Sequence, residues 1–447
     1  MGYRRRTNST RPDTDFLTSD KLARMERRDV LKLAGAFAAI ASTAPSLAQL
    51  FDRSAHAAPT TKTTRPRFFL QIIPSGGMDT IYGADPKTAR EVDSGIDVPY
   101  APQAIVDAKT ARLGPAFASL RPFMNRFAIV NGLRQNSANH QTGLVNTTCA
   151  RAHATPGTPT LLDVLGTRRS SDQALGAISI GTAFSAAFSP KYLGQPTTMS
   201  FGNRPGVLEH LDQAQPDELV AAANQLRRDA KSFAAQNSTQ RVTAENFVEV
   251  AALFERWAAS PRFGPTSWTE PDADSIGGGR DLQRALWLFE HGLARCVTVS
   301  ISNQNWDTHA FNDTEQPRLG AYLAGLLGRL LGELDRRIVD GRPLAAQTVV
   351  FLGSEIGRFP RKNVGRGKDH FPQVPYLFFG PWFGNGAAYG ATDRQMVSLP
   401  VSLETGKPER GGKLLALDDI GTTLLNLDGA KPELFGYTGR HLRFLAG

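Results

Sequence analysis

Two spacings of apolar residues alternate along the chain. Short β-branched and aromatic runs at Phe68–Ile73, Phe127–Asn131, Ala177–Gly181, Val297–Ser302, Thr348–Leu352 and Pro375–Gly380 read as strands. Between them, apolar residues three and four apart predict helices over Ala116–Met124, from near Thr142, over Pro216–Gln236, Thr243–Ser260, Arg280–Arg295, Leu319–Val339 and near Asp418–Leu427. In the Leu319–Val339 segment, Leu319, Leu323, Leu326, Leu330 and Leu334 make the stripe. Strands alternating with helices indicate a doubly wound, mostly parallel α/β sheet. Residues 184–279 read as a helical excursion: Phe184–Gln215 is rich in Gly, Pro and Ser, and Pro261–Gly279 is a breaker-rich loop.

The first 57 residues follow another pattern. The twin arginine Arg27–Arg28 precedes an Ala-rich run, Leu31–Leu50, and Ala55-His56-Ala57 offers small residues around a cleavage point. This is the pattern of a twin-arginine export signal, to be set aside before fold reasoning. The run contains Pro45 and is too Ala-rich for a membrane span, which wants roughly 20 apolar residues. Residues 58–67 then form a Thr/Pro/Lys linker, and 68–447 a single α/β domain. The expectations are passage through the twin-arginine machinery, a periplasmic or extracellular location, and no stable membrane span after cleavage.

Composition adds little to that picture. The 447 residues are 41% hydrophobic and 21% charged, as in ordinary globular proteins. Of the formal charge of +9, residues 1–57 contribute +4, from ten basic and six acidic side chains, leaving a mildly basic body of +5. No nucleic-acid signature accompanies that charge, so the basic balance points at most to an anionic ligand. Two cysteines occur, Cys149 and Cys296. They could pair in an oxidising compartment or stay buried as free thiols.

The candidate chemistry gathers after strands. Asp79 follows Phe68–Ile73 in the turn PSGGMDT, Asp307 and His309 follow Val297–Ser302 in WDTH, and Glu355 follows Thr348–Leu352. A Gly/Arg/Lys-rich loop then leads to Asp369–His370. In open α/β sheets the crevice beyond the carboxyl ends of the strands binds ligands. Mixed carboxylates and imidazoles there suit a divalent metal, zinc first, with manganese or calcium as alternatives. Arg358, Arg361 and Lys362 are candidates to contact an anionic substrate group.

The motifs SGGMD, NHQTG, WDTHAFND and SEIGRFPRKN…GKDHFP resemble those of an exported bacterial family, domain of unknown function 1501, whose members resemble the alkaline phosphatase and sulfatase superfamily. The segment LDDIGTTLLNLDG is similar to the stretch that ends sulfatase-type domains. The resemblance implies a three-layer α/β/α sandwich with a mostly parallel central sheet. It implies metal ligation by Asp79, Asp307, His309, Glu355, Asp369 and His370. It also implies a nucleophile in the loop Asn136–Gly143, where a helix N-terminus would favour an anion; Ser137 and Thr142 are the candidates, with Thr80 as an outsider. His140 or Asn139 would polarise the substrate. Departures are visible: WDTH spaces its Asp and His tightly, Ile356 rather than a His follows Glu355, and neither Cys lies in a Cys-x-Pro-x-Arg setting. The activity this implies is hydrolysis of a phosphate, sulfate or related ester carried by a small molecule or a polysaccharide. If no hydroxyl is in place, water activated by the metal could attack instead. The other reading is a non-catalytic envelope protein that binds metal, polysaccharide or another envelope component on the same fold.

Overall fold

The computed structural model describes residues 65–155, 158–181, 198–200, 207–234, 238–264, 268, 278–301, 306–383 and 386–446. The twin-arginine segment, residues 58–64 of the linker, and much of 184–215 and 261–279 lie outside these described residues.

Strands are β1 (Phe68–Pro74), β2 (Val106–Ala108), β3 (Ala111–Leu113), β4 (Phe127–Arg134), β5 (Leu175–Ile180), β6 (Thr198–Ser200), β7 (Ala294–Ile301), β8 (Ile338–Val339), β9 (Arg342–Pro343), β10 (Thr348–Leu352), β11 (Gly357–Lys362), β12 (Lys368–Phe371), β13 (Gln373–Phe379) and β14 (Ala387–Tyr389). Eight of them form one sheet in the order β14-β4-β13-β10-β1-β7-β5-β6. From β10 to β6 every neighbouring pair is parallel, and β13 alone runs against the rest. The chain is therefore a mixed α/β protein with a large, mostly parallel central sheet.

Alternation along the strands builds two cores. Phe68, Leu70 and Ile72 of β1, with Val350 and Leu352 of β10, face one. Phe69, with Val349 and Phe351, faces the other. The first core is closed by helices Pro216–Ala234, Ser238–Ala259, Gly279–Glu290 and Asn312–Arg336. The second is closed by Leu161–Gly166 and Leu417–Leu427. A strand apolar on both faces has to be covered on both sides, which makes the sheet the middle of three layers. The two long helices of the excursion place Leu219, Leu226, Phe247 and Phe254 in the first core, so they pack with the sheet rather than apart from it.

Three expected elements differ in detail. The segment around Ala116–Met124 is a 3-10 helix, Pro115–Arg126, which contains Pro122, a residue that cannot donate an intrahelical hydrogen bond. The helix expected to reach Arg295 stops at Glu290, and Ala294 already belongs to β7. The polar stretch after Glu355, expected as a loop, is the hairpin β11–β12, with Arg358 opposite His370. Its Arg358 and Lys368 are 2% and 1% exposed. The buried Lys368–Asp79 pair and the carbonyl contacts of Arg358 hold that hairpin in place, and polar residues in these roles are marked as loop by hydropathy.

Candidate functional site

Because β7, β1 and β10 are parallel and in register, with Pro74 beside Ile301 and Ile72 beside Leu352, their carboxyl ends meet at one edge of the sheet. The turns that leave this edge carry the polar groups. Gly76 takes φ of +125°, and a Cβ there would lie 2.6 Å from Cβ of Trp306, so the first turn is packed directly on the segment that delivers Asp307.

His140 is the first residue of helix His140–Cys149, whose N-cap Asn139 accepts from the backbone N–H of Thr142 at 3.1 Å. Its Nδ1 lies 2.8 Å from Oε1 of Glu355, which also accepts from the Gly76 N–H at 2.7 Å. Nε2 of His140 is buried, lies 3.4 Å from Oδ2 of Asp307, and has no hydrogen-bond partner among the described residues. His370 lies 2.7 Å through Nδ1 from the carbonyl of Ala138, which leaves its Nε2 3.2 Å from Oδ1 of Asp307. His309 presents Nδ1 to Asp369 at 3.1 Å and Nε2 to Nε2 of His370 at 2.9 Å. Asn363 donates to Asp369 at 3.0 Å, while its Oδ1 accepts the N–H groups of Gly365 and Gly367 and closes the hairpin tip.

Electrostatics follow from this packing. The Asp307 and Glu355 carboxylates hold the His140 ring up, to about 9. Burial alone would push the Asp307 carboxyl up, but neighbouring His140 and Arg358 outweigh it and keep it well below the usual carboxylate range. Asn363 and then His309 lower Asp369.

His140, Asp307 and His370 offer ligand atoms that all lie within 4.8 Å of one another. The outer nitrogens of His140, His309 and His370 each face a carboxylate or carbonyl, so in the neutral tautomers the three Nε2 lone pairs point inward beside Asp307. Two such lone pairs 2.9 Å apart repel unless a proton or a cation lies between them. Two nitrogens on a tetrahedral zinc at about 2.05 Å would sit about 3.3 Å apart. The donor set and the orphaned Nε2 of His140 therefore fit a divalent cation.

Other expected site residues sit elsewhere. The Asp79 carboxylate is taken by Lys368 and Asn312, each 2.8 Å from Oδ2, and does not join the cluster. Glu355, 1% exposed, lies behind His140 and orients it. Arg358 is spent on the carbonyls of Gly76, Gly77, Trp306 and Lys368 and on Oδ1 of Asp307 at 2.6 Å, which makes it a strut. Lys362 pairs with Asp97 and Asp313, and Arg361 is exposed. Ser137 turns its hydroxyl onto the backbone of Asn139, while Thr142 is exposed on the first helical turn. Thr80 is half-buried in the short 3-10 turn that follows Asp79. Both cysteines are buried and free. Sequence reading passed over Lys368 and Asn363. The signal for Lys368 was its place two residues before His370, which puts both side chains on one face of a strand.

A mostly parallel α/β sandwich with a His/Asp cluster beyond its central strands is thus the class that fold and site define. The chain belongs to the family described as Protein of unknown function (DUF1501), which matches residues 69–405. No curated protein matches it in sequence. Among solved structures it is similar to a protein in the alkaline phosphatase superfamily from Vibrio parahaemolyticus, at 12% identity over 94% of this chain and 79% of that one, with a TM-score of 0.38. The lipoteichoic acid synthase LtaP from Listeria monocytogenes matches at 10% identity over 85% and 76%, TM-score 0.39. The PsFucS1 sulfatase from Pseudoalteromonas sp. matches at 10% identity over 95% and 76%, TM-score 0.38. At these scores the likeness bears on neither activity nor mechanism. Among the described residues no helix is long and apolar enough to cross a membrane.

Proposed function

We propose that the chain is an exported, metal-dependent hydrolase of an anionic ester, a phosphate or a sulfate, carried by a small molecule or a polysaccharide. The observation that carries this reading is the convergence of the Nε2 atoms of His140, His309 and His370 on Asp307. His140, Asp307 and His370 would hold the cation, with His309 closing the fourth side. A cation there would act as a Lewis acid on the ester and ionise a water near neutral pH. Glu355 and the Ala138 carbonyl fix the two half-buried rings, as carboxylates and carbonyls behind metal-binding histidines do, and so set which nitrogen is free. The Arg358 guanidinium holds Asp307 ionised and fixed. His309 and Asp369, the more exposed members, face the side from which substrate would arrive. Zinc suits this nitrogen-rich set best, and manganese or calcium are the alternatives. The twin-arginine pattern Arg27–Arg28 supports export of the folded, loaded chain.

A second reading, a metal-binding envelope protein without turnover, is favoured by one observation: Ser137, a candidate nucleophile, has its hydroxyl committed to Asn139. Incubation of the zinc- or manganese-loaded chain with 4-nitrophenyl phosphate and sulfate separates the two. Turnover that is lost in Asp307→Ala and kept in Ser137→Ala and Thr142→Ala supports hydrolysis by activated water. Metal uptake without turnover of any ester in a broad screen supports the second reading.

A further inference from the structure

Asp79 closes the turn after β1, the strand flanked by both neighbours of the site edge, and resemblance makes it a metal ligand. The geometry disagrees. Its Oδ2 lies 2.8 Å from Nζ of Lys368, and the two side chains are 3% and 2% exposed. The same oxygen accepts from Nδ2 of Asn312 at 2.8 Å, and Oδ1 accepts from the Ile81 N–H at 3.3 Å. Gln316 fixes the backbone by accepting the Asp79 N–H at 2.8 Å. The carboxylate is thus neutralised by an ammonium and filled with donors before any ion arrives.

We infer that Lys368 is the built-in cation of the Asp79 position, so that the chain holds one divalent cation rather than a pair. This rests on the reading that the His140–Asp307–His370 cluster binds metal. Two further observations support it. The cavity beside Asp79, bordered also by Asp85, Asn131, Arg358, Lys368 and Thr392, measures about 20 Å³. That is room for one water, which needs on the order of 10–15 Å³. Paired catalytic metals stand roughly 3.5–4 Å apart and keep coordination positions open for water or substrate; an ion in this space would have no room for either beside it. Charge acts in the same direction, because a dication entering here would meet both the Lys368 ammonium and the Arg358 guanidinium in a poorly solvated setting.

The pair also positions the cluster. Lys368 and His370 are alternate residues of β12 and share its inward face. With the ammonium tied to the end of β1, and the Lys368 N–H donating to the carbonyl of Thr308 at 3.0 Å, the strand has little freedom to move His370 away from Asp307. A lysine cation cannot be removed by chelation, so this half of the site stays assembled in the metal-free chain.

The test counts metal. The full chain is stripped with chelator, dialysed, and titrated with zinc chloride by calorimetry, with elemental analysis of the loaded sample. The same is done for Asp79→Asn/Lys368→Met, which replaces the ion pair with neutral side chains of similar size. One zinc per chain in both proteins is the expected result, bound more weakly by the double variant, whose β12 is no longer tied to Asp79. Two zincs in the wild type, falling to one in the double variant, would overturn the inference and leave the parent reading standing. One zinc in the wild type and none in a folded double variant even at millimolar zinc would make Asp79 a ligand and also overturn it. No zinc in the wild type would remove the parent reading itself. A second measurement needs no variant: lysine acetylation read by mass spectrometry. Lys368 should resist reagent in stripped and loaded protein alike, while exposed Lys407 reacts in both. Labelling of Lys368 on loading would mean that metal displaces it from Asp79, contrary to the inference.

Discussion

Nδ1 of His140 lies 2.8 Å from Oε1 of Glu355, and that contact carries the strand-end carboxylate to the cluster through a histidine. Glu355→Gln keeps the shape and removes the charge behind the ring. Loss of such a partner typically costs 10–100-fold in metal affinity. A competition titration against a chromogenic chelator should show that drop with the circular dichroism spectrum unchanged. Unaltered affinity would mean that Glu355 serves only the Gly76 N–H and the Ser354 hydroxyl.

The pH dependence has a definite sign. In the metal-free chain the two flanking carboxylates raise His140 from 6.5 to about 9. A group raised on folding contributes stability that is complete below about 6.5 and lost as pH climbs through about 9. Metal has to displace that proton, so affinity should increase roughly tenfold per pH unit over the same window and level off above it. Thermal melts of stripped and zinc-loaded protein between pH 6 and 9.5 should therefore diverge as pH rises. Parallel curves would show that His140 does not bind the ion.

Arg358 and Arg361 lie three residues apart and should behave oppositely. Arg358→Met takes a donor from four buried carbonyls, of which Gly77 and Trp306 keep the Gln316 amide, and leaves Asp307 without its guanidinium, a loss on the order of 3 kcal/mol in urea unfolding. Arg361→Ala, on the exposed side of β11, should stay within about 0.5 kcal/mol. Its effect on KM for an ester substrate, with kcat unchanged, would mark it as the substrate contact.

The cysteines should be silent. Cys149 and Cys296 are 2% and 0% exposed, and burial pushes the Cys149 thiol up to about 12. A thiolate is the reactive form, so a native sample should leave both unmodified by a disulfide reagent until denaturant is added. Intact-mass measurement of a disulfide, or fast labelling of the native chain, would contradict this.

Elements whose stability is local or doubly buried were legible in the sequence. Thr348–Leu352 is β10 to the residue, and the leucine stripe from Leu319 to Leu334 is buried along helix Asn312–Arg336. The polar residues that follow strands were legible as a group because parallel strands place their carboxyl ends together, and the structure does bring His140, Asp307, His309, Asp369 and His370 to one edge. What each one touches was not legible. Asp79 and Glu355 look alike in sequence, each a carboxylate after an apolar run. One meets Lys368 and the other His140, because partners 215 to 289 residues away decide the outcome. The hairpin β11–β12 stayed hidden for the same reason: Arg358 and Lys368 read as solvated loop charges until Asp307 and Asp79 are placed against them.

The most direct measurement is anomalous X-ray diffraction at the zinc edge from crystals of the zinc-loaded chain. One peak at about 2.0–2.2 Å from Nε2 of His140, Nε2 of His370 and a carboxylate oxygen of Asp307 is the predicted result. A crystal grown in excess zinc with no peak among these residues, or with its peak on Asp79, would contradict the metal centre proposed for this fold.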